Sequence, residues 1–113
     1  MATIVALDEL PRTANTYRFE GCKHGDAPAS VLVDTQAPGS GPRLHRHPYA
    51  EVFVIQEGRA TFTVGGEQLE VIGAHIVVAP PNTPHRFVNS GNGPLRLVAI
   101  HLSAQISTEW LED

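Results

Sequence analysis

Glycine and proline interrupt this chain so often that few long runs escape both: ten glycines and nine prolines fall among 113 residues. Isolated helices shorter than about 12–15 residues are marginal in water, and a proline inside one removes a hydrogen bond and clashes with the preceding turn. What lies between the breaks are short runs rich in Val, Ile, Leu, Thr and Phe, with turn signals about every 8–12 residues. That spacing predicts an all-β sandwich or small barrel of antiparallel strands.

A chain of this length makes one domain, 1–113, able to bury about two-thirds of the surface that its extended form exposes. Its one cysteine, Cys22, allows no intrachain disulfide, which fits a reducing compartment. The start, residues 1–13, lacks a basic segment and is broken by Asp8, Glu9 and Pro11, so it does not read as a signal peptide. No stretch approaches the roughly 20 apolar residues of a membrane span, and the expected location is cytoplasmic. Net charge is −4, with 8 basic residues scattered against 12 acidic ones. Without a basic patch or a recognition motif, nucleic acid is excluded as a partner.

Along the chain, residues 1–15 read as an N-terminal arm or edge, with a turn of helix or plain arm at 7–13. Residues 16–23 read as an edge strand with Gly21 as a bulge, and 29–36 as a strand. The runs 51–56 and 59–64 read as a hairpin about Gly58, and 59–64 pairs again with 67–72 through Gly65 and Gly66. Strands at 75–80, 85–90 and 95–103 follow. Residues 105–113 predict a C-terminal helical turn with Ser107 or Thr108 as its cap.

One stretch, 39–58, does not look like ordinary strand and turn, because His45, His47 and Glu51 fall within seven residues. Strand alternation places them on one face with Phe53 and Ile55, and places Arg46, Val52, Val54 and Gln56 on the other. Burying two imidazoles and a carboxylate beside apolar side chains is costly unless something satisfies them. A divalent metal would do so. His85 is the best fourth ligand, because it follows the proline-rich loop 80–84 and then alternates with Phe87 and Asn89.

Phe53, Ile55 and Phe87 are assigned to core packing, although alternation leaves them on the ligand face. Tyr49 either aims its hydroxyl at the cavity mouth or packs outside, and Asn89 either orients a ligand or is structural. His101 shares a face with Leu95, Leu97 and Ala99. It is either a buried histidine with a backbone partner or, if that face is the interior, a general acid or base. His24 and His75 are expected in solvent and Cys22 unreactive, while Trp110 anchors the C-terminal turn on the barrel or on a partner.

The spacings Gly39-x5-His45-x-His47-x3-Glu51-x6-Gly58 and Gly73-x6-Pro80-x-Asn82-x2-His85-x3-Asn89 resemble the two motifs of the cupin superfamily, in its small single-domain, conserved-barrel form. The first matches at every defined position. The second has one extra residue before the proline and Asn82 where glycine is usual, a mild departure because asparagine best tolerates a left-handed turn. The resemblance implies a double-stranded β-helix, or jelly-roll barrel, holding a metal through His45, His47, Glu51 and His85. Fe, Mn, Ni, Co, Cu and Zn all suit such ligands. It also implies a homodimer formed through an edge strand or a sheet face. Two functions follow as expectations. One is a metal-dependent enzyme of oxygenase or isomerase type on a small polar metabolite, with Tyr49 and His101 as its catalytic residues handling protons. The other is a non-catalytic domain that binds or senses a sugar or similar metabolite.

Overall fold

The computed structural model describes residues 1–112. Their strands are β1 (Arg12–Thr13), β2 (Thr16–Glu20), β3 (Ser30–Gln36), β4 (His45–Arg46), β5 (Glu51–Glu57), β6 (Arg59–Val64), β7 (Glu67–Ile72), β8 (His75–Ala79), β9 (His85–Asn89), β10 (Leu95–His101) and β11 (Glu109–Trp110). Short 3-10 turns at Leu7–Glu9 and Gly21–Lys23 complete the regular structure. One sheet runs β1-β2-β3-β10-β5-β8 and the other β11-β4-β9-β6-β7, and every pairing is antiparallel. This is the all-β jelly roll expected from the sequence. No helix among the described residues is long and apolar enough to cross a membrane.

The core is what the two inner faces share. Phe53, Ile55, Val77, Ala79, Leu95, Leu97 and Ala99 come from the first sheet; Ala60, Phe62 and Phe87 come from the second. Phe62 meets Phe53 edge-on and stacks on Phe87, each at 5.1 Å between ring centres. Each fully buried ring of this kind stabilises the fold by about 1.5–3 kcal/mol. Phe53, Ile55 and Phe87 are therefore core residues, although Phe53 and Phe87 also wall the cavity described below.

Three local expectations are corrected. The runs 51–56 and 59–64 do not form a hairpin: β5 pairs with β10 and β8, whereas β6 pairs with β7 and β9. At Gly58 the chain crosses from one sheet to the other, with φ at +100°, and a Cβ there would lie 2.5 Å from the Pro94 carbonyl oxygen. Glycine marks a corner rather than a hairpin turn. The hairpin of β6 with β7 across Gly65 and Gly66 forms as expected.

The second correction concerns residues 16–23. The edge place is taken by β1, from the N-terminal arm, so β2 lies inside the sheet. Gly21 opens a 3-10 turn instead of a bulge, where a Cβ would lie 1.9 Å from the Ala27 carbonyl oxygen.

The third is the C-terminal turn, which is a strand: Glu109–Trp110 pairs with β4. Arg46 grips both Glu109 carboxylate oxygens at 3.0 Å, and the Leu111 N–H donates to the Leu44 carbonyl at 3.0 Å. These partners draw the segment onto the second sheet and outweigh its modest helical preference. Residue 113, the last of the expected turn, lies outside the described residues.

The two outer faces differ. The second sheet presents Arg46, Arg59, Thr61, Thr63, Gln68, Glu70 and Arg86 outward with Ile72 and Val88 among them, a mostly polar pattern for a sheet with one wet face. The first presents Val52, Val54, Val98 and Ile100, all half-buried, with Ile76 and Val78 exposed beside them.

Candidate metal centre

Strand alternation alone does not bring the ligands together. After β4 the chain leaves extended pairing at residues 47–50, around Pro48, and enters the other sheet at Glu51. His45 and Glu51 therefore do not share one strand face, as the sequence suggested; they approach from opposite sheets. His45 lies directly across from His85 in the second sheet, and Glu51 directly across from His101 in the first. Two cross-strand pairs thus face each other through the sandwich, with His47 in the connecting loop.

All four expected ligands are buried, and their ligand atoms lie within 4.8 Å of one another. Glu51 Oε1 is 3.0 Å from Nε2 of both His47 and His85. The far side of each ring is tied to the backbone: Nδ1 meets the carbonyl of Arg43 at 2.6 Å for His45, of Ser107 at 2.8 Å for His47, and of Thr83 at 2.8 Å for His85. A carbonyl only accepts, so each Nδ1 carries a hydrogen and each ring turns its Nε2 inward. His47 Nε2 and His101 Nε2 are both buried without an aligned hydrogen-bond partner, although the carboxylate is 3.0 Å from each. The inward Nε2 atoms and the carboxylate converge on one place, and His85 Nε2 is within hydrogen-bonding reach of Glu51 Oε1 at 3.0 Å. A divalent ion fits that place without protonating any ring.

The electrostatics agree. Burial pushes His45 down to about 4, against the opposing pull of the Arg43 carbonyl, so it is neutral and ready to ligate at ordinary pH. Burial by itself disfavours a charge on Glu51, but the close approach of His101, His47 and His85 outweighs it and holds the carboxyl well below the usual range. With a metal bound, the quartet would be three neutral imidazoles and one anion.

His101 is inside, as one of its two readings required, and its partner is a side chain rather than the backbone. Its Nε2 is 3.0 Å from Glu51 Oε2, and its Nδ1 is 2.7 Å from the Tyr49 hydroxyl. The Ser107 N–H donates to that same hydroxyl oxygen at 3.2 Å. Burial raises the Tyr49 pKa, with the Ser107 N–H opposing, so Tyr49 stays a protonated donor. Its hydrogen goes to His101 Nδ1, because His47 Nδ1, at 3.4 Å, already donates to Ser107. His101 therefore carries its proton on Nε2, the reverse of the three ligands.

A cavity of about 150 Å³ opens onto this cluster, walled by Leu32, Phe53, Phe87 and Trp110, with Arg18 at its side. Trp110 lies 5.0 Å from the His45 ring and beneath the Arg43 guanidinium, so it anchors the chain end on the barrel. A larger recess of about 470 Å³ under the N-terminal arm holds a single histidine, His24, and no carboxylate. Chemistry selects the smaller one. Asn89 is structural: its amide donates to the Gln36 and Gly93 carbonyls, and its oxygen accepts from the Gly91 N–H. His75 is exposed, His24 stacks half-buried on Phe19, and Cys22 is exposed. Sequence reasoning passed over Arg18, whose place is visible only from the pairing of β2 with β3.

Fold and ligand set together define a cupin-type metal barrel. The chain belongs to the cupin family, whose Cupin domain model matches residues 24–101. An uncharacterized protein of Methanocaldococcus jannaschii is 37% identical over 81 residues, covering 71% of this chain and 61% of that protein, so the chain spans less than two-thirds of that relative. An uncharacterized Klebsiella pneumoniae protein with a double-stranded β-helix domain superposes with a TM-score of 0.75 at 23% identity, covering 97% of this chain and 92% of that one. Bacillus subtilis oxalate decarboxylase, a protein with Mn(II) centres, superposes at 0.80 with 22% identity over 93% of this chain and 31% of its own.

Proposed function

We propose that this chain is a metal-dependent enzyme of oxygenase or isomerase type acting on a small polar metabolite. The observation that carries the reading is the buried cluster: three imidazoles, each tied at Nδ1 to a backbone carbonyl, turn Nε2 towards one carboxylate, while a fourth, His101, is held at Nδ1 by the Tyr49 hydroxyl beside them. A bound divalent ion supplies Lewis acidity or a place for oxygen. The residues around it do the rest. His45, His47, Glu51 and His85 would hold the ion; His101 would give or take a proton at Nε2, and Tyr49 holds its ring from behind.

The test is elemental analysis of the purified protein together with oxygen uptake and product formation over a panel of small metabolites, with Mn and Fe examined first. Stoichiometric metal with turnover supports the enzyme. His47→Ala should lower metal occupancy far more than His75→Ala; full occupancy in both overturns the ligand assignment. Metal with ligand binding but no turnover favours the non-catalytic reading.

The apolar outer face of the first sheet supports a second proposal, that two copies pack sheet to sheet. A solvated antiparallel sheet is polar on its wet side, as the second sheet is. Val52, Val54, Val98, Ile100, Ile76 and Val78 carry no charge that would demand a differently charged partner, so a copy of the same face suits them.

A further inference from the structure

Arg18 is placed where a metal-binding cavity would need a cation if its substrate were an anion. On β2 it pairs with Leu32, which pairs in turn with Ala99, and Ala99 with Phe53. That row crosses the inner face of the first sheet one level from the row of Glu20, Ser30, His101 and Glu51. Arg18 thus borders the same 150 Å³ cavity as the ligands, and it is the one Lys or Arg among the residues that line it.

Its charge is not consumed by the protein. Arg18 Nε lies 3.5 Å from Glu20 Oε1, but Glu20 is itself held by Lys23 at 3.3 Å and by the Ile106 N–H at 3.0 Å. Among the described residues, no hydrogen bond occupies the terminal nitrogens of Arg18. An arginine offers a planar fork matched to a carboxylate, and here the fork is left open.

Charge balance points the same way. Glu51 cancels one of the two charges of a divalent ion, and Arg18 adds another positive charge at the cavity wall. Arg18, its side chain 45% exposed, keeps this charge at the cavity rim, where a carboxylate end could meet it. Size narrows the guest further, since the cavity has the liquid volume of about five waters.

We propose that the ligand of this site is a compact carboxylate, one end on the metal and its charge met by Arg18, with a short apolar body against Leu32, Phe53 and Trp110. This rests on the metal reading above and adds the substrate class to it.

The test uses the full chain loaded with Co(II), whose visible absorption reports its ligands, titrated with glycolate, pyruvate and oxalate and with glycolamide as a neutral counterpart. The acids should bind at least about tenfold more tightly than the amide. Arg18→Gln should erase that preference at unchanged cobalt content, and Arg18→Lys should restore part of it by charge without the fork. Equal binding of acid and amide, or unchanged acid affinity in Arg18→Gln, overturns the proposal and leaves the metal reading standing. Failure of the wild type to take up cobalt overturns both.

Discussion

The Tyr49 hydroxyl sits 2.7 Å from His101 Nδ1 and sets the proton of that ring on the opposite nitrogen from those of the three ligand histidines. In metal-free protein, nitrogen-15 NMR of the imidazoles should therefore show His45, His47 and His85 protonated at Nδ1 and His101 protonated at Nε2. Tyr49→Phe removes the donor, so His101 should shift towards the other tautomer. Metal content should stay near that of the wild type, and stability should fall by about 1 kcal/mol for the lost hydrogen bond. An unchanged His101 spectrum in the variant would refute the orienting role.

Acid should destabilise the metal-free protein in two overlapping stages. The folded His45 has its pKa pushed down to about 4, against an ordinary 6.5, so between these values the unfolded chain binds a proton that the fold refuses. Stability therefore falls as pH drops through that window, with a slope from this residue of at most about 1.4 kcal/mol per pH unit. Glu51 is held below the usual carboxylate range, so its contribution is present above the unfolded value of 4.5 and is lost as pH falls below it. Thermal unfolding of chelator-treated protein from about pH 7 down to about pH 4.5 reads the first stage. His45→Gln should flatten it. Bound metal competes with these protons, so occupancy should also fall below about pH 6.

Asn82 stands at φ +60°, and its N–H donates to the His47 carbonyl at 2.7 Å. Asn82→Ala should cost about 1 kcal/mol, because a Cβ with no local hydrogen-bonding group is disfavoured there. Asn82→Gly should cost less or nothing. The two melting temperatures, compared at equal metal content, check it; equal destabilisation would mean that the side chain, not the backbone angle, matters.

Val54→Lys on the outer face of the first sheet should turn a dimer into a monomer, because an isologous contact places the new charge against itself. Light scattering of wild type and variant reads the mass directly. A monomeric wild type at high concentration would sink the sheet-to-sheet pairing.

Much of this was legible in the sequence, and the exceptions share a cause. The four ligands, the left-handed turn at Asn82 and the hairpin at Gly65 and Gly66 depend on residue type and short spacing, which the sequence displays. The corner at Gly58 looks like a hairpin turn, because both need a positive φ; only the competing partners β10 and β9 decide that the flanking strands part. The C-terminal strand owes its form to Arg46 and Leu44, more than sixty residues away. Arg18 was silent for the same reason, since its neighbours in the cavity come from strands far along the chain.

The crossing at residues 47–50 also decides what kind of bond the metal would be. Because β4 and β9 lie in one sheet and β5 and β10 in the other, His45 and His85 pull from one side of the sandwich and Glu51 from the other. An ion held by all of them would be a clasp between the two layers, beside the Asn89 amide that donates to the Gln36 carbonyl. Loading the ion should therefore raise the melting temperature by holding the two layers together.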